Sequence, residues 1–306
     1  MLPALRRVTA LNGHISRNLN LELNRAFSVS SASMSTPNDR ALAAGPEKLK
    51  APGLVLLVSQ TPNGGKPVYY LEELKAAGAI KGYEHIDISL SKNEQKEDWF
   101  EAVNPNGRIP ALLDNREGKK PIMVWESASI LLYLARNYDK DYLFHFKDDD
   151  LHQEMLNWIF FLQGGVGPMQ GQANHFFRYA PEKIQYGVDR YQNETRRLFG
   201  VYEDHLAGKK DGEKKEWLVG GKFSIADMTS QPWIRMSSWA GVSLDPFPLL
   251  KDWVERIDAR PAIQSALKIP EQDMLTKMKE DPSLEEKIMK ASAAWVQKGN
   301  EGLKNK

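Results

Sequence analysis

Residues 53–90 read GLVLLVSQTPNGGKPVYYLEELKAAGAIKGYEHIDISL, and this stretch decides the fold. Leu54–Ser59 is a short apolar run bounded by Gly53 and by Thr61-Pro62-Asn63-Gly64-Gly65, the pattern of a buried strand running into a turn. Val68, Leu71 and Leu74 then recur at helical spacing up to Gly78. Ile86, Ile88 and Leu90 alternate, which predicts a second strand. Strand, helix, strand within so short a span is a βαβ unit, whose parallel crossover is right-handed.

Downstream, a short helix fits Glu94–Ala102. Ile109–Leu113 and Ile122–Trp125 read as two strands joined by the polar turn Asn115–Lys120. Ser127–Tyr138 reads as a helix with Ile130, Leu131 and Leu134 on one face. The order βαβ, helix, ββα is that of a thioredoxin-like domain over 53–140. Beyond Asp150 no strand is evident. Leu151–Gln163 is an aromatic-rich helix, and Ile184, Val188, Tyr191, Thr195, Leu198 and Tyr202 step by 4, 3, 4, 3 and 4 along a long amphipathic one. Ile225–Trp239, Leu249–Ala259 and Leu284–Gln297 fit further helices. The expected fold is therefore α/β followed by an all-helical domain over 148–269, with a helical extension over 270–306.

Upstream, residues 1–33 hold Arg6, Arg7, Arg17 and Arg25 against the single acid Glu22, and serines cluster at Ser28, Ser30, Ser31 and Ser33. Leu5, Val8, Leu11, Ile15 and Leu19 recur at helical spacing. Such a segment reads as a mitochondrial-type presequence, with a plain disordered tail as the alternative. Arg25-Ala26-Phe27-Ser28 resembles a matrix-peptidase cleavage site. Met34 offers an internal start for a cytosolic form. Residues 34–52, with Pro37, Gly45, Pro46 and Pro52, read as a linker.

The bulk chemistry narrows the function. Of 306 residues, 42% are apolar and 26% charged, as in a soluble globular protein. Net charge is +1, so no global field favours nucleic acid or an acidic membrane. No apolar run approaches the ~20 residues that span a bilayer. Cysteine is absent, so any thiol chemistry takes its sulfur from a substrate. The six histidines form no HxxxH or HExxH pair, which leaves no metal motif.

Six motifs in order resemble the glutathione transferases. They are Thr61-Pro62-Asn63-Gly64, Asn104-Pro105-Asn106-Gly107-Arg108-Ile109-Pro110, Glu126-Ser127-Ala128-Ser129, Gly164-Gly165-Val166-Gly167-Pro168-Met169, Arg190-Tyr191-Gln192-Asn193-Glu194-Thr195 and Ser224-Ile225-Ala226-Asp227. The fourth and fifth look like the Nu-class bacterial disulfide-bond reductases and the glutathione-binding region of the yeast nitrogen-regulator prion protein. The resemblance spans Leu54 to Ile269. Ala128 departs from a common Gly, and Arg108 from a common Lys.

The resemblance implies a cis Ile109–Pro110 bond, with the Ile109 backbone pairing to the cysteine of glutathione. It places the γ-glutamyl carboxylate at Ser127, its ammonium at Glu126 and the sulfur at Thr61 and Asn63. Gln95 and Arg190 would hold the rest, and His175, Phe176 and Tyr179 would line a second-substrate pocket. A hydroxyl and an amide at Thr61 and Asn63 donate to a thiolate and favour it over the thiol; neither is a useful base near pH 7. From chemistry alone each has a plainer alternative. Ser127 is equally a helix cap, the Thr-Pro-Asn-Gly run a bare turn, Gln95 and Arg190 solvated, and the aromatics packing. Ser224-x-x-Asp227 reads as a capping box. The expected function is a glutathione-dependent disulfide-bond reductase with some transferase and peroxidase activity, acting as a homodimer. The alternatives are a transferase conjugating electrophiles and a non-catalytic glutathione-binding module.

Overall fold

The computed structural model describes residues 36–304. The presequence-like segment 1–33 and Met34 lie outside the described residues. The stretch expected as a linker is instead folded onto the sheet. Thr36 caps helix α1 (Pro37–Ala44): its Oγ1 accepts from the Asp39 N–H at 3.2 Å, and the Asp39 carboxylate accepts from the Thr36 N–H at 2.8 Å. A 3₁₀ turn follows at Glu47–Lys50. Ala41 and Leu49 are fully buried, and the Asn115 amide donates to the Leu49 and Ala51 carbonyls at 2.7 Å each. Two apolar anchors in a polar run are too sparse to show a period, so the sequence pattern conceals them.

The first domain follows as β1 (Gly53–Val58), α2 (Pro62–Ala76), β2 (Glu84–Asp87), α3 (Asp98–Val103), β3 (Ala111–Asn115), β4 (Ile122–Trp125) and α4 (Ser127–Tyr138). The strand order is β2-β1-β3-β4, with β1 parallel to β2 and β3 antiparallel to both β1 and β4. Two expected strands are shorter than their apolar patterns. Leu90 belongs to a 3₁₀ turn, and β3 starts only after Pro110, which has no N–H for the ladder.

Side chains alternate faces along a strand, and β1 is apolar on both because both are covered. Val55 and Leu57 pack with Ala41, Leu49, Phe100 and Val103 on one side. Leu54, Leu56 and Val58 pack on the other with Val68, Leu71 and Leu74 of α2, in a core that runs on into the helical domain through Met155, Leu198 and Trp253.

The second half contains α5 (Asp149–Phe161), a single π turn at Leu162–Val166, α6 (Gly167–Asn174), a second π turn at His175–Tyr179, α7 (Gln185–Leu206), α8 (Ile225–Arg235), α9 (Pro248–Asp258) and α10 (Pro261–Ala266). The helix expected over Ile225–Trp239 ends at Arg235 and gives way to a 3₁₀ turn. Among the described residues the only strand-like pairing here is the isolated bridge Val219–Lys222. Past the cis Ile269–Pro270 bond the extension forms α11 (Met274–Glu280) and α12 (Leu284–Lys304). No helix of the described residues is long and apolar enough to cross a membrane.

Asp227 holds the start of α8. Its carboxylate accepts from the Ser224 N–H at 2.9 Å, the Ser224 hydroxyl at 3.1 Å, the Leu218 N–H at 3.1 Å and the Trp253 indole at 2.9 Å. Burial pushes its pKa up to about 6 against these bonds, so it is ionised at neutral pH and suited to accept from all four. Asp227→Ala orphans these four buried donors, at ~1–3 kcal/mol for each that finds no other acceptor. The expected loss of stability is about 3–5 kcal/mol, read as a lower urea midpoint. An unchanged midpoint would show that water replaces the carboxylate.

Candidate active site

At the end of the sheet where β1 and β4 finish and β3 begins, a cleft of about 590 Å³ opens between the two domains. Thr61, Asn63, Gln95, Ile109, Glu126 and Ser127 all line it. A second cavity of about 370 Å³ adjoins it and shares Thr61, Pro62, Asn174, Tyr179 and Trp295 with it.

Thr61 caps α2, its Oγ1 accepting from the Gly64 N–H at 3.0 Å. The hydroxyl proton remains free to donate into the cleft. Only glycine fits at 64, since a Cβ would stand 2.3 Å from the Ser59 carbonyl oxygen. Asn63 is oriented from the other domain. The Trp233 indole, a donor only, bonds its Oδ1 at 2.9 Å and so leaves the Asn63 NH₂ for the cleft.

The Asn104–Pro110 loop holds itself. The Asn104 amide donates to the Arg108 carbonyl at 2.6 Å and accepts from the Asn106 N–H at 3.0 Å. Gly107 has φ 58°, and a Cβ there would press on Lys96 and on the Gln95 carbonyl. Ile109–Pro110 is cis. Gln95 is buried beside this loop. Its NH₂ donates to Asn93 at 3.3 Å, while its Oε1 has no hydrogen-bond partner.

Glu126 sits at φ 69°, an uncommon conformation for a residue with a Cβ, directly before α4. Ser127 does not cap that helix; no side chain does. Its first N–H groups are therefore left for a ligand, at the positive end of the helix dipole. The Ser127 hydroxyl points instead to a cluster that the sequence did not announce. Lys66, fully buried, donates to Ser127 Oγ at 3.3 Å and to Gln163 Oε1 at 2.5 Å. Gln163 belongs to the π turn after α5 and lines the cleft.

The remaining expected residues divide. Tyr179 lines both cavities and accepts from the Trp239 indole. Phe176 stacks on Tyr191 with ring centroids 5.4 Å apart, and His175 meets its edge at 5.3 Å; neither lines the cleft. The space beside Gly187 forces this, because Phe176 fills it. Arg190 is not brought to the cleft within one chain. It lies on the exposed face of α7, 3.9 Å from Glu194, while the buried face of that helix carries Val188, Gln192 and Thr195.

No histidine lines either cavity. The two tyrosines there, Tyr69 and Tyr179, are both raised by burial and stay neutral at physiological pH. The cleft can donate to an anion, and it presents neither a histidine nor an ionised tyrosine to a neutral thiol. Among the described residues no cluster of His, Asp and Glu could hold a metal ion.

The extension completes the wall. Trp295 of α12 lines both cavities, and its indole donates to Asn93 at 3.1 Å. Arg178 fastens that helix, pairing with Glu285 at 2.7 Å while its guanidinium lies 4.5 Å over the Trp239 ring.

The glutathione S-transferase N-terminal domain family matches residues 70–136, and the C-terminal domain family matches 154–261. The chain belongs to the glutathione S-transferase family, with the fold of its two domains. Among its relatives, the disulfide-bond oxidoreductase YfcG of Escherichia coli is 38% identical over 214 residues, covering 69% of this chain and 93% of that protein. The transcriptional regulator URE2 of Saccharomyces cerevisiae is 34% identical over 239 residues, covering 68% of this chain and 65% of that protein. The glutathione transferase homologue from Lodderomyces elongisporus, solved with two GSH per subunit, superposes with a TM-score of 0.66 at 37% identity, over 72% of this chain and 100% of that one.

Arg178→Ala removes the ion pair and the ring contact that dock α12. Trypsin is expected to cut within 277–298 about tenfold faster, the factor given by ~1.4 kcal/mol of lost docking. Unchanged cleavage would place the docking energy elsewhere.

Proposed function

We propose that this protein is a glutathione-dependent disulfide-bond reductase with accompanying transferase and peroxidase capacity. The observation that carries the reading is the Asn63 amide. The Trp233 indole turns its donor side into a cleft lined by neither cysteine nor histidine. Such a site selects a thiolate that arrives on a substrate. The relatives support the choice of reaction: YfcG and YghU of Escherichia coli are both named disulfide-bond oxidoreductases, YghU at 36% identity.

In this reading glutathione lies with its γ-glutamyl carboxylate on the free N–H groups of α4 at Ser127 and its ammonium on Glu126. Its cysteine backbone pairs with Ile109, and its sulfur rests by Thr61 and Asn63. Donation from both, and the α2 N-terminus, lower the thiol pKa. The thiolate attacks one sulfur of a disulfide RS–SR′, forming GS–SR and releasing R′S⁻. A second glutathione thiolate, entering through the adjoining cavity, attacks the glutathione sulfur of GS–SR and releases RS⁻. The product is GS–SG: two glutathiones are oxidised and one disulfide is reduced, and the two departing thiolates take up the protons that the glutathiones lost. Pro62, Pro232, Met236 and Leu267 give the adjoining cavity an apolar wall, which favours conjugation of an electrophile as the second reading.

Hydroxyethyl disulfide reduction, measured beside conjugation of chlorodinitrobenzene, separates the readings. Disulfide turnover exceeding conjugation is expected. Conjugation without disulfide turnover supports the transferase, and inactivity in both supports a binding module. Asn63→Ala is expected to raise the bound thiol pKa by about one unit and to lower kcat/KM about tenfold at pH 7. That deficit shrinks as pH rises and the thiol ionises unaided. A pH-independent deficit would mean that Asn63 serves binding alone.

We further propose a twofold dimer and mitochondrial delivery by residues 1–33. Light scattering should give twice the mass of one chain. A fluorescent protein carrying residues 1–33 should enter mitochondria, whereas the chain begun at Met34 should stay in the cytosol. Cytosolic residence of the 1–33 fusion would sink the delivery proposal.

A further inference from the structure

Lys66 has no role in the chemistry above, yet its placement is costly. A fully buried lysine is rare unless a carboxylate pairs with it. Lys66 is fully buried and forms no ion pair within 4.0 Å among the described residues; its two acceptors, Ser127 and Gln163, are neutral. It also stands beneath the uncapped N-terminus of α4, where the backbone already presents partial positive charge. Two positive features thus converge on Ser127.

The surroundings of Lys66 contain little that titrates. From the β4–α4 corner Glu126 faces it, and the negative charge there favours the ammonium. From the helical domain the facing group is Gln163, which carries no charge. Ser127, from α4, is a hydroxyl. Burial dominates and lowers the Lys66 pKa to about 7. Near neutrality Lys66 is therefore a mixture of ammonium and amine.

We propose that Lys66 is a buried counter-charge for the carboxylate that docks at Ser127, positioning Ser127 and Gln163 and binding a proton when glutathione binds. The inference rests on the glutathione reading of the cleft. A carboxylate at Ser127 favours the ammonium over the amine and so raises the Lys66 pKa in the complex. The sign follows by linkage. Below the free pKa the lysine is already charged and affinity is insensitive to pH. Above it, binding must take up a proton, so affinity falls as pH rises until the pKa of the complex is passed. Lys66 touches no ligand atom in this arrangement. It acts through Ser127 and Gln163 and is a positioning residue.

The test uses the full chain and S-methylglutathione, which keeps both carboxylates but has no thiol to titrate. Calorimetry in buffers of different ionisation enthalpy gives Kd and proton uptake from pH 6 to 8.5. In the unaltered protein Kd should be flat at the acid end and rise about tenfold between pH 7 and 8.5, with net proton uptake near pH 7.5. Lys66→Met should bind about tenfold more weakly at pH 6, with a flat profile and no uptake. Lys66→Arg, charged throughout, should keep tight binding and lose both the slope and the uptake, a rescue that packing alone does not produce. If Lys66→Met does not fold, the unaltered protein and Lys66→Arg decide between them. Equal proton uptake in the unaltered protein and in either variant would overturn the proposal while leaving the glutathione reading intact. Failure of the unaltered protein to bind S-methylglutathione at any pH would remove both.

Discussion

Helix α2 lies between the sheet and the helical domain, and most of its buried polar groups are satisfied from outside it. A buried polar atom left unpaired costs as much as several favourable contacts return. Each such group on α2 therefore fixes a distance to another element. Tyr69 reaches Gln231 of α8 at 3.1 Å, and Tyr70 reaches Asp139 just past α4 at 3.0 Å. Glu73 takes both forks of Arg260 before α10, at 2.6 and 2.9 Å. Lys66 reaches Gln163, and Asn63 receives Trp233. The apolar core supplies most of the stability without direction. These bonds supply the direction, and they run from the closed end of the interface up to its open end.

The electrostatics of the cleft follow from that arrangement. Two helices, α2 and α4, aim their N-termini at one space, and donors of the first domain face it at both. At α2 the donor is the Asn63 amide, turned inward because an indole can only donate. At α4 it is the bare backbone, left open because Ser127 has been drawn away by Lys66 and Gln163. Glu126, held at positive φ, is the one carboxylate on this rim and suits an ammonium next to an anion. The site is shaped for a zwitterion followed by a soft anion, a pattern that an aminoacyl thiolate meets and a neutral electrophile alone does not.

Much of this was legible in the sequence, and the exceptions share a cause. The βαβ unit, the hairpin and α4 have enough apolar residues at one period to announce themselves. Residues 34–52 do not, since Ala41 and Leu49 are isolated anchors whose burial depends on a sheet elsewhere in the chain. In the cleft, Thr61, Asn63, Ile109, Glu126 and Ser127 lie in contiguous motifs and Gln95 lies ten residues before Pro105, and all six line one space. Arg190 shared a motif but lies on the outer face of α7, because helical phase is set by Val188, Gln192 and Thr195. Lys66 and Gln163 were missed. A lysine in a helix reads as solvated unless its neighbours say otherwise. Here they did: Pro67–Leu71 carries no charge on any side, the mark of a helix buried all round.

The same reasoning explains why the C-terminal extension belongs to the site. A thiolate in a cleft is useful only while it is sheltered from bulk water, where hydration would undo the advantage of fixed donors. The two domains alone leave the Thr61 side open toward the adjoining cavity. Helix α12 closes part of that side with Trp295, whose indole bonds Asn93 in the segment that carries Gln95. Gln95, which lines the cleft with Trp295, donates to the same Asn93 oxygen. One docked helix thus shelters the sulfur position and shares an acceptor with a residue of the cleft. Its fastening by Arg178 lies on the π turn before α7, outside the cleft itself. The wall can therefore loosen without disturbing the donors at Thr61 and Asn63.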